Sequence, residues 1–208
     1  DIDTEAALAK ALITVEQVPA SEAINGTRVD LYGVDLPDLG TRVEELCLGF
    51  PVAVLFNGQP LKRPLAEEHL ATQASPIGAV HLAGTLDGKY THETIAFLQG
   101  FCVLKPTYCL RDELNVVHLD SRQFMARLPD RDKLIDEDVQ RKRIDAELKA
   151  CWRNTLEIAR TRLSPERFVE TYYAVMRGWG QLDLLNDLDV LPAELCDAIV
   201  GYPIQDDH

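Results

Sequence analysis

The sequence predicts an α+β fold in which a mixed β-sheet comes first and a C-terminal helical region follows. Two observations predict it. Strand-like apolar runs separated by turn residues fill the chain up to Pro129, and helical periodicity follows that proline. The 208 residues, 46% of them hydrophobic, suffice to bury a substantial core. From these changes in pattern we predict three regions, residues 1–64, 65–135 and 136–208.

Prolines divide the first region into short elements, because proline lacks the backbone N–H that helices and strands need. Pro19, Pro37 and Pro51 each follow a periodic or alternating stretch, and Asn57-Gly58 is a strong hairpin signal. The predicted elements are helices at residues 6–18 and 41–48 and strands at residues 29–34, 52–56 and 61–64.

The second region is predicted to be rich in strands. Residues 77–86 and 94–104 are strand-like runs, and the Asp87-Gly88 turn lies between them. Residues 114–119 and 124–128 form a third pair. His118 alternates with its apolar neighbours, so we expect it to point away from the core, toward the surface or an interface.

The third region is predicted to be helical. Residues 136–163 form a long helix, and Ser164-Pro165 begins another, with serine as N-cap and proline at the first helical position. Gly178 and Gly180 end it, and residues 192–200 form a last short helix. The apolar stripes that predict the two longer helices are Ile144, Leu148, Cys151, Thr155, Ala159 and Leu163 in the first and Phe168, Val169, Tyr172, Tyr173 and Met176 in the second.

Composition narrows the function classes. A net charge of −13 opposes strong nucleic-acid binding, and no apolar run is long enough to span a membrane. The five cysteines are scattered, and the first residues carry acids rather than a basic leader, so we expect a cytoplasmic protein with reduced thiols. The histidines and cysteines lack metal-ligand spacing, so no metal site is predicted.

The order of motifs from residue 25 to residue 128 resembles the GHKL ATPases, the group that contains gyrase B, MutL and the histidine kinases. Gly26-Thr27 resembles the turn that closes their ATP-binding domain, and residues 50–58 resemble the strand and turn that follow. Residues 95–103 resemble a core strand of the transducer domain, which has a ribosomal S5 domain 2-like fold. Residues 115–119 with 125–128 resemble the paired strands whose connecting loop reaches the nucleotide.

The resemblance implies candidate phosphate contacts. Gly26 and Thr27 offer a backbone amide and a hydroxyl to phosphate oxygens. Arg122 stands in the loop after His118. Arg131 and Lys133 precede the long helix, where cations do not serve the helix dipole, and they could meet a γ-phosphate or an acidic partner. For each of these residues an ordinary turn or a solvated loop is the open alternative. The family's Mg²⁺-binding helix and adenine loop have no match in the chain.

The resemblance therefore implies the transducer-side portion of a GHKL-type ATP-binding protein, which couples nucleotide state to a protein partner or to homodimer geometry. ATP and Mg²⁺ are expected only if a nucleotide-binding part is also present, and we do not expect this chain to hydrolyse ATP by itself. One alternative is a non-enzymatic interaction or scaffold module without nucleotide dependence. Another is a small-molecule enzyme, for which the sequence offers no recognisable catalytic set.

Overall fold

A computed structural model of the protein describes residues 37–84, 93–106, 114–128 and 131–189. The chain divides between Pro37 and Asp38 into two units, and the described helices and strands belong to the second. The predicted elements at residues 6–18, 29–34 and 192–200 lie outside the described residues, as does the Gly26-Thr27 turn. The three predicted regions stay predictions.

The second unit begins with a short helix and a small hairpin. Helix α1 is Leu39–Leu46, displaced by two residues from its prediction, and strands β1 (Leu55–Phe56) and β2 (Gln59–Pro60) pair antiparallel. Asn57 and Gly58 connect the two strands with positive φ angles of 50° and 78°, as the hairpin signal predicts. The pairing is shorter than predicted, because this exposed segment is interrupted by prolines that lack the ladder N–H.

The main element is a five-stranded sheet. Its strands are β3 (Gln73–Ser75), β4 (Gly78–His81), β5 (Thr94–Leu98), β6 (Phe101–Leu104) and β7 (Asn115–Leu119). They lie in the order β3-β4-β7-β5-β6. Only β5 and β7 run parallel, and the other neighbouring pairs in this sheet are antiparallel. A mixed sheet followed by helices confirms the predicted α+β class.

The pairing of the strands corrects three predictions. The Asp87-Gly88 turn predicts that β4 pairs with β5, but β4 pairs with β7 instead. The run predicted at residues 94–104 is two strands, because Gln99 and Gly100 adopt positive φ and turn the chain. Residues 124–128 form no strand beside β7.

The sequence also missed strand β3 at the sheet edge. Its residues, Gln73–Ser75, are polar or small and show no apolar alternation. The central strands β5 and β7 are almost wholly buried, because both faces of the sheet are covered. Apolar strands therefore occupy the middle of the sheet, whatever turns lie between them in the sequence.

Two helices follow the sheet, as predicted. Helix α2 is Glu137–Arg162 and helix α3 is Pro165–Gly178. The Ser164 hydroxyl accepts a hydrogen bond from the Arg167 N–H at 3.3 Å, which confirms the predicted N-cap. A 3₁₀ turn at Leu182–Asp187, which the sequence did not predict, comes after α3.

The apolar stripe of α2 differs in detail from its prediction. The buried residues repeat at four-residue spacing, whereas Cys151, Thr155 and Ala159 are only partly buried. The buried positions in α2 are Ile144, Leu148, Trp152 and Leu156. In α3 the predicted stripe is buried except for Tyr173, and Val175 joins it.

The sheet is covered on both faces. On the helix face, alternate residues such as Ala96, Val117 and Leu119 belong to the main core with α2 and α3. On the opposite face, which we call the loop face, Ile95, Phe97, Leu114 and Val116 form a second cluster with partly buried residues that include Leu48 and Leu65. The 47–70 segment contributes these partners, and it contains the β1–β2 hairpin.

His118 lies on the loop face of β7. The sequence prediction that it points away from the main core is correct, but its surroundings are not open surface. Its ring stacks on Phe97 with centroids 5.4 Å apart, and its Nε2 lies 2.9 Å from the Leu65 carbonyl oxygen. The alternation of β7 fixed the direction of the side chain, while the 47–70 segment, which the sequence did not place, covers it.

Candidate functional site

The candidate site lies at the end of the sheet where parallel strands β5 and β7 both finish. Leu98 and Leu119 are paired neighbours at this end, and Gly78 at the start of β4 pairs with Leu119 from the other side. At the start of the turn that follows β7, the Asp120 N–H donates a hydrogen bond to the Ile77 carbonyl at 2.9 Å. Loops at the carboxyl ends of parallel strands are a common location for ligand contacts.

Arg122, the predicted cation of this turn, is held by Asp120. The Asp120 carboxylate accepts from the Arg122 backbone N–H at 2.9 Å, from Nε at 3.0 Å and from Nη2 at 2.9 Å. These hydrogen bonds hold the pKa of Asp120 well below its usual range. The same hydrogen bonds fix the position of the Arg122 side chain. The side chain is 87% exposed, so its remaining donors face solvent.

Gln123 connects this turn to two other elements. Its Nε2 donates to the Pro76 carbonyl at 2.7 Å, and its Oε1 accepts from Arg143 of helix α2 at 2.5 Å. The Arg143 guanidinium also lies over the Phe124 ring, 4.7 Å from its centroid. The sequence did not predict the hydrogen bond between Gln123 and Arg143, because the two residues are twenty positions apart and neither belongs to a motif.

An open groove of about 440 Å³ lies beside Arg122. Small residues line it, and Glu67 and Asp120 add carboxylates, so the groove is shallow and mixed in charge. The residues that line it are Glu67, Thr72, Gln73, Ala74, Ser75, Pro76, Gly78, Ala79, Asp120, Arg122 and Gln123.

Arg131 and Lys133, the other two predicted cations, lie in a separate loop. Arg131 adopts a φ of 52°, and its guanidinium lies 5.8 Å from the centroid of the Phe101 ring at the start of β6. Lys133 is exposed, and its carbonyl accepts from the Arg127 N–H at 2.8 Å. The structure thus places Arg122 and Arg131 at the same end of the sheet. No hydrogen bond or ion pair within the described ranges joins Arg122 to either of the other two.

The remaining candidates offer little independent chemistry. Gly26 and Thr27 lie outside the described residues. Within the described ranges, no group of three or more His, Cys, Asp or Glu residues could hold a metal ion. Burial raises the pKa of the Cys47, Cys102 and Cys151 thiols, which opposes a role as nucleophile. None of the described helices combines the length and apolar composition needed to cross a membrane.

The contact between the 47–70 segment and the loop face is the part of the site that the sequence did not predict. A Cβ on Gly49 would lie 2.4 Å from the Phe97 ring, so only glycine allows this approach. The segment is also braced internally, since Leu65 N–H donates to the Leu48 carbonyl at 3.0 Å and Arg63 donates to the Phe50 carbonyl at 2.7 Å. One signal in the sequence could have predicted this covering. The residues of β5 are continuously apolar apart from Thr94, which is typical of a strand covered on both faces.

Burial by this segment lowers the pKa of His118, while the Leu65 carbonyl and the nearby Glu67 carboxylate act in the opposite direction. Because a carbonyl oxygen can only accept, the 2.9 Å contact requires a proton on Nε2. A neutral imidazole with this tautomer fills the contact and carries no charge into the apolar cluster.

Comparisons of the chain with known protein families, with curated proteins and with solved structures find no match.

Proposed function

We propose that this chain is the transducer-side portion of a GHKL-type ATP-binding protein, which couples nucleotide state to partner binding or dimer geometry. The supporting observation is the packing of the 47–70 segment on the loop face of the sheet. By the resemblance, residues 50–58 belong to the nucleotide side, while β5 and β7 belong to a ribosomal S5 domain 2-like transducer. Coupling needs a physical contact between the two. The Phe50–Phe101 ring contact, with centroids 5.2 Å apart, and the neighbouring Gly49–Phe97 contact supply one.

The route from this contact to the candidate cations is short. His118 contacts Leu65, and Asp120, two residues farther along, holds Arg122. A displacement of the 47–70 segment would therefore act on β7 immediately before the turn that carries Arg122. Under this proposal Arg122, together with Arg131 and Lys133 from their separate loop, meets the phosphates of ATP. By the resemblance, Gly26 and Thr27 stay candidate phosphate contacts, and Mg²⁺ is expected only if a nucleotide-binding part is also present.

Steady-state ATP turnover by the protein produced from its full reading frame tests this proposal. Arg122→Ala, Arg131→Ala and Lys133→Ala are the test variants. Arg167→Ala is the matched control, because the Arg167 side chain is also largely exposed and forms an ion pair only with Glu170 among the described residues. Removing a group that stabilises developing phosphate charge typically lowers kcat by about 10²–10³. Surface substitutions usually change stability by less than about 0.5 kcal/mol.

We expect at least one test variant to lose turnover while its melting temperature stays near that of Arg167→Ala. If the full-length protein neither binds Mg-ATP in calorimetry nor hydrolyses it, the proposal is wrong. If it turns over ATP and all three test variants match the control, the role assigned to these cations is wrong.

A second candidate function is an interaction module without nucleotide dependence. The observation that favours it is the exposure of Met125 and Leu128, which are 68% and 72% exposed beside the Arg131–Lys133 loop. Ile135, which is 43% exposed, donates its backbone N–H to the Met125 carbonyl, and exposed apolar side chains grouped in this way are typical of protein contacts. Turnover assays separate this candidate from the first, because an interaction module would be indifferent to ATP.

A further inference from the structure

Residues 125–127 and 133–135 form a short antiparallel ladder between the turn after β7 and helix α2. The Ile135 N–H donates to the Met125 carbonyl at 3.0 Å, and the Arg127 N–H donates to the Lys133 carbonyl at 2.8 Å. Ala126 and Leu134 form the bridge between these two bonds. We call this element the 125–135 ladder.

The alternation of the ladder separates its side chains into two faces. Leu134 is 3% exposed and Ala126 is partly buried, and both pack on the main core. Met125 and Ile135 lie opposite each other on the outer face, as do Arg127 and Lys133, and all four side chains are exposed. The outer face therefore presents an apolar pair directly beside a pair of cations.

The cation pair is electrostatically unfavourable by itself. Like charges directly opposite each other on a ladder destabilise it. Asp132 offsets this only in part, since its carboxylate is 4.0 Å from Arg127, and Lys133 takes part in no ion pair within the described residues. A bound carboxylate would relieve the repulsion, while the neighbouring Met125–Ile135 pair would gain from contact with an apolar side chain.

We infer that the outer face of the 125–135 ladder is a docking surface for a partner protein segment that carries carboxylates beside apolar side chains. The surface goes beyond the proposed function and needs no nucleotide. It shares Lys133 with the phosphate contacts of the first candidate function, whereas Met125, Arg127 and Ile135 belong to the surface alone. The apolar area is small compared with a standard interface, so the interaction is weak, with a Kd of about 10–100 μM.

Two other occupants fit the surface less well. In a symmetric contact between two copies through this face, Arg127 and Lys133 would meet the same cations of the other copy. An anionic membrane would meet the acids Asp136, Glu137 and Asp138 that follow the ladder, and the chain as a whole carries a charge of −13. A peptide segment is local and is spared most of the overall charge of −13, because charges beyond about 8 Å are largely screened from it at physiological salt.

A phage-displayed library of random peptides, selected on the folded protein at about 150 mM salt, tests the inference. We expect the selected peptides to be enriched in Asp or Glu near Leu, Ile, Phe or Trp. In fluorescence anisotropy, Arg127→Glu and Met125→Ser should each weaken the binding of a selected peptide by roughly tenfold or more. Arg127→Lys keeps the charge and should retain binding, and Arg167→Glu is the matched charge-reversal control on α3.

Selected peptides without acids, or binding that Arg127→Glu and Met125→Ser leave unchanged, would overturn the inference. Sedimentation supplies two further outcomes that overturn it. One is concentration-dependent dimerisation that Met125→Ser abolishes, which would identify a second copy as the occupant. The other is Met125-dependent sedimentation with anionic lipid vesicles. Circular dichroism of each variant checks that it is folded, and none of these outcomes depends on ATP, so the proposed function is tested separately.

Discussion

The two faces of the five-stranded sheet are covered in different ways. On the helix face, two regular helices bury a continuous apolar stripe, of which Trp152 is fully buried. On the loop face, the irregular 47–70 segment reaches the sheet through a few close contacts, such as Gly49 on Phe97 and Leu65 on His118. On the helix face, stability comes from the buried apolar area, whereas on the loop face it depends on how individual groups fit together.

The two faces therefore differ in role: the helix face mainly stabilises the fold, and under the proposed function the loop face transmits a change to β7. Many mutually supporting contacts hold the helix face, so a local change there is resisted by the whole layer. The contacts on the loop face include a polar one between the His118 ring and the Leu65 carbonyl oxygen. Under the proposed function, the loop face is the side on which a change in a bound partner would reach β7 and Arg122.

The largest expected effect is on the helix face. We expect Trp152→Ala to lower the free energy of unfolding by about 3–5 kcal/mol, because it removes a fully buried aromatic side chain and leaves a cavity. Urea unfolding followed by circular dichroism measures the loss. Ile158→Ala on the same helix is the control, since Ile158 is 43% exposed and should change stability by about 0.5 kcal/mol or less. Equal losses in both variants would contradict the assignment of the core.

A smaller effect is expected on the loop face. Gly49→Ala places a Cβ 2.4 Å from the Phe97 ring, and the resulting overpacking should lower the free energy of unfolding by about 1–3 kcal/mol. Gly40→Ala in helix α1 is the matched control. Its Cβ would lie an ordinary 3.4 Å from the Phe56 ring, and alanine favours the helix.

A double variant sharpens the test of this contact. Combining Gly49→Ala with Phe97→Leu should give a total loss smaller than the sum of the two single losses, because the smaller side chain makes room for the methyl group. Strictly additive losses would mean that Gly49 and Phe97 do not touch.

The smallest effect is a dependence on pH that belongs to His118. Burial lowers the pKa of His118 in the folded protein, so the unfolded chain binds the proton more readily. The stability contribution of the neutral imidazole is present above the ordinary histidine pKa of about 6.5 and is lost as the pH falls through the lower folded value. Urea midpoints of the wild type should therefore decrease below about pH 6.5 more steeply than those of His118→Gln. Parallel pH profiles would show that the 47–70 segment does not enclose this ring.

Part of the candidate site was readable in the sequence. The positions of Arg122, Arg131 and Lys133 next to predicted turns selected them as candidate phosphate contacts. All three residues are exposed, which the alternative of a solvated loop predicts equally. Their arrangement was not readable. Asp120 holds Arg122 within one turn, across only two residues. Arg131 lies over Phe101, and this contact depends on how separate loops meet at the end of the sheet. The wrong pairing predicted for residues 124–128 also hid the outer face of the 125–135 ladder.

The sequence by itself determined the α+β class, both long helices, the Ser164 cap and the Asn57-Gly58 turn, because each depends on periodicity or on backbone preferences within a few residues. Only the tertiary structure decided the strand order, the parallel pairing of β5 with β7 and the covering of the loop face. Antiparallel and parallel neighbours can have the same apolar pattern, so the choice between them depends on contacts between distant residues. The same holds for His118: its alternation set the direction of the side chain, and the packing of a remote segment decided that it would be enclosed.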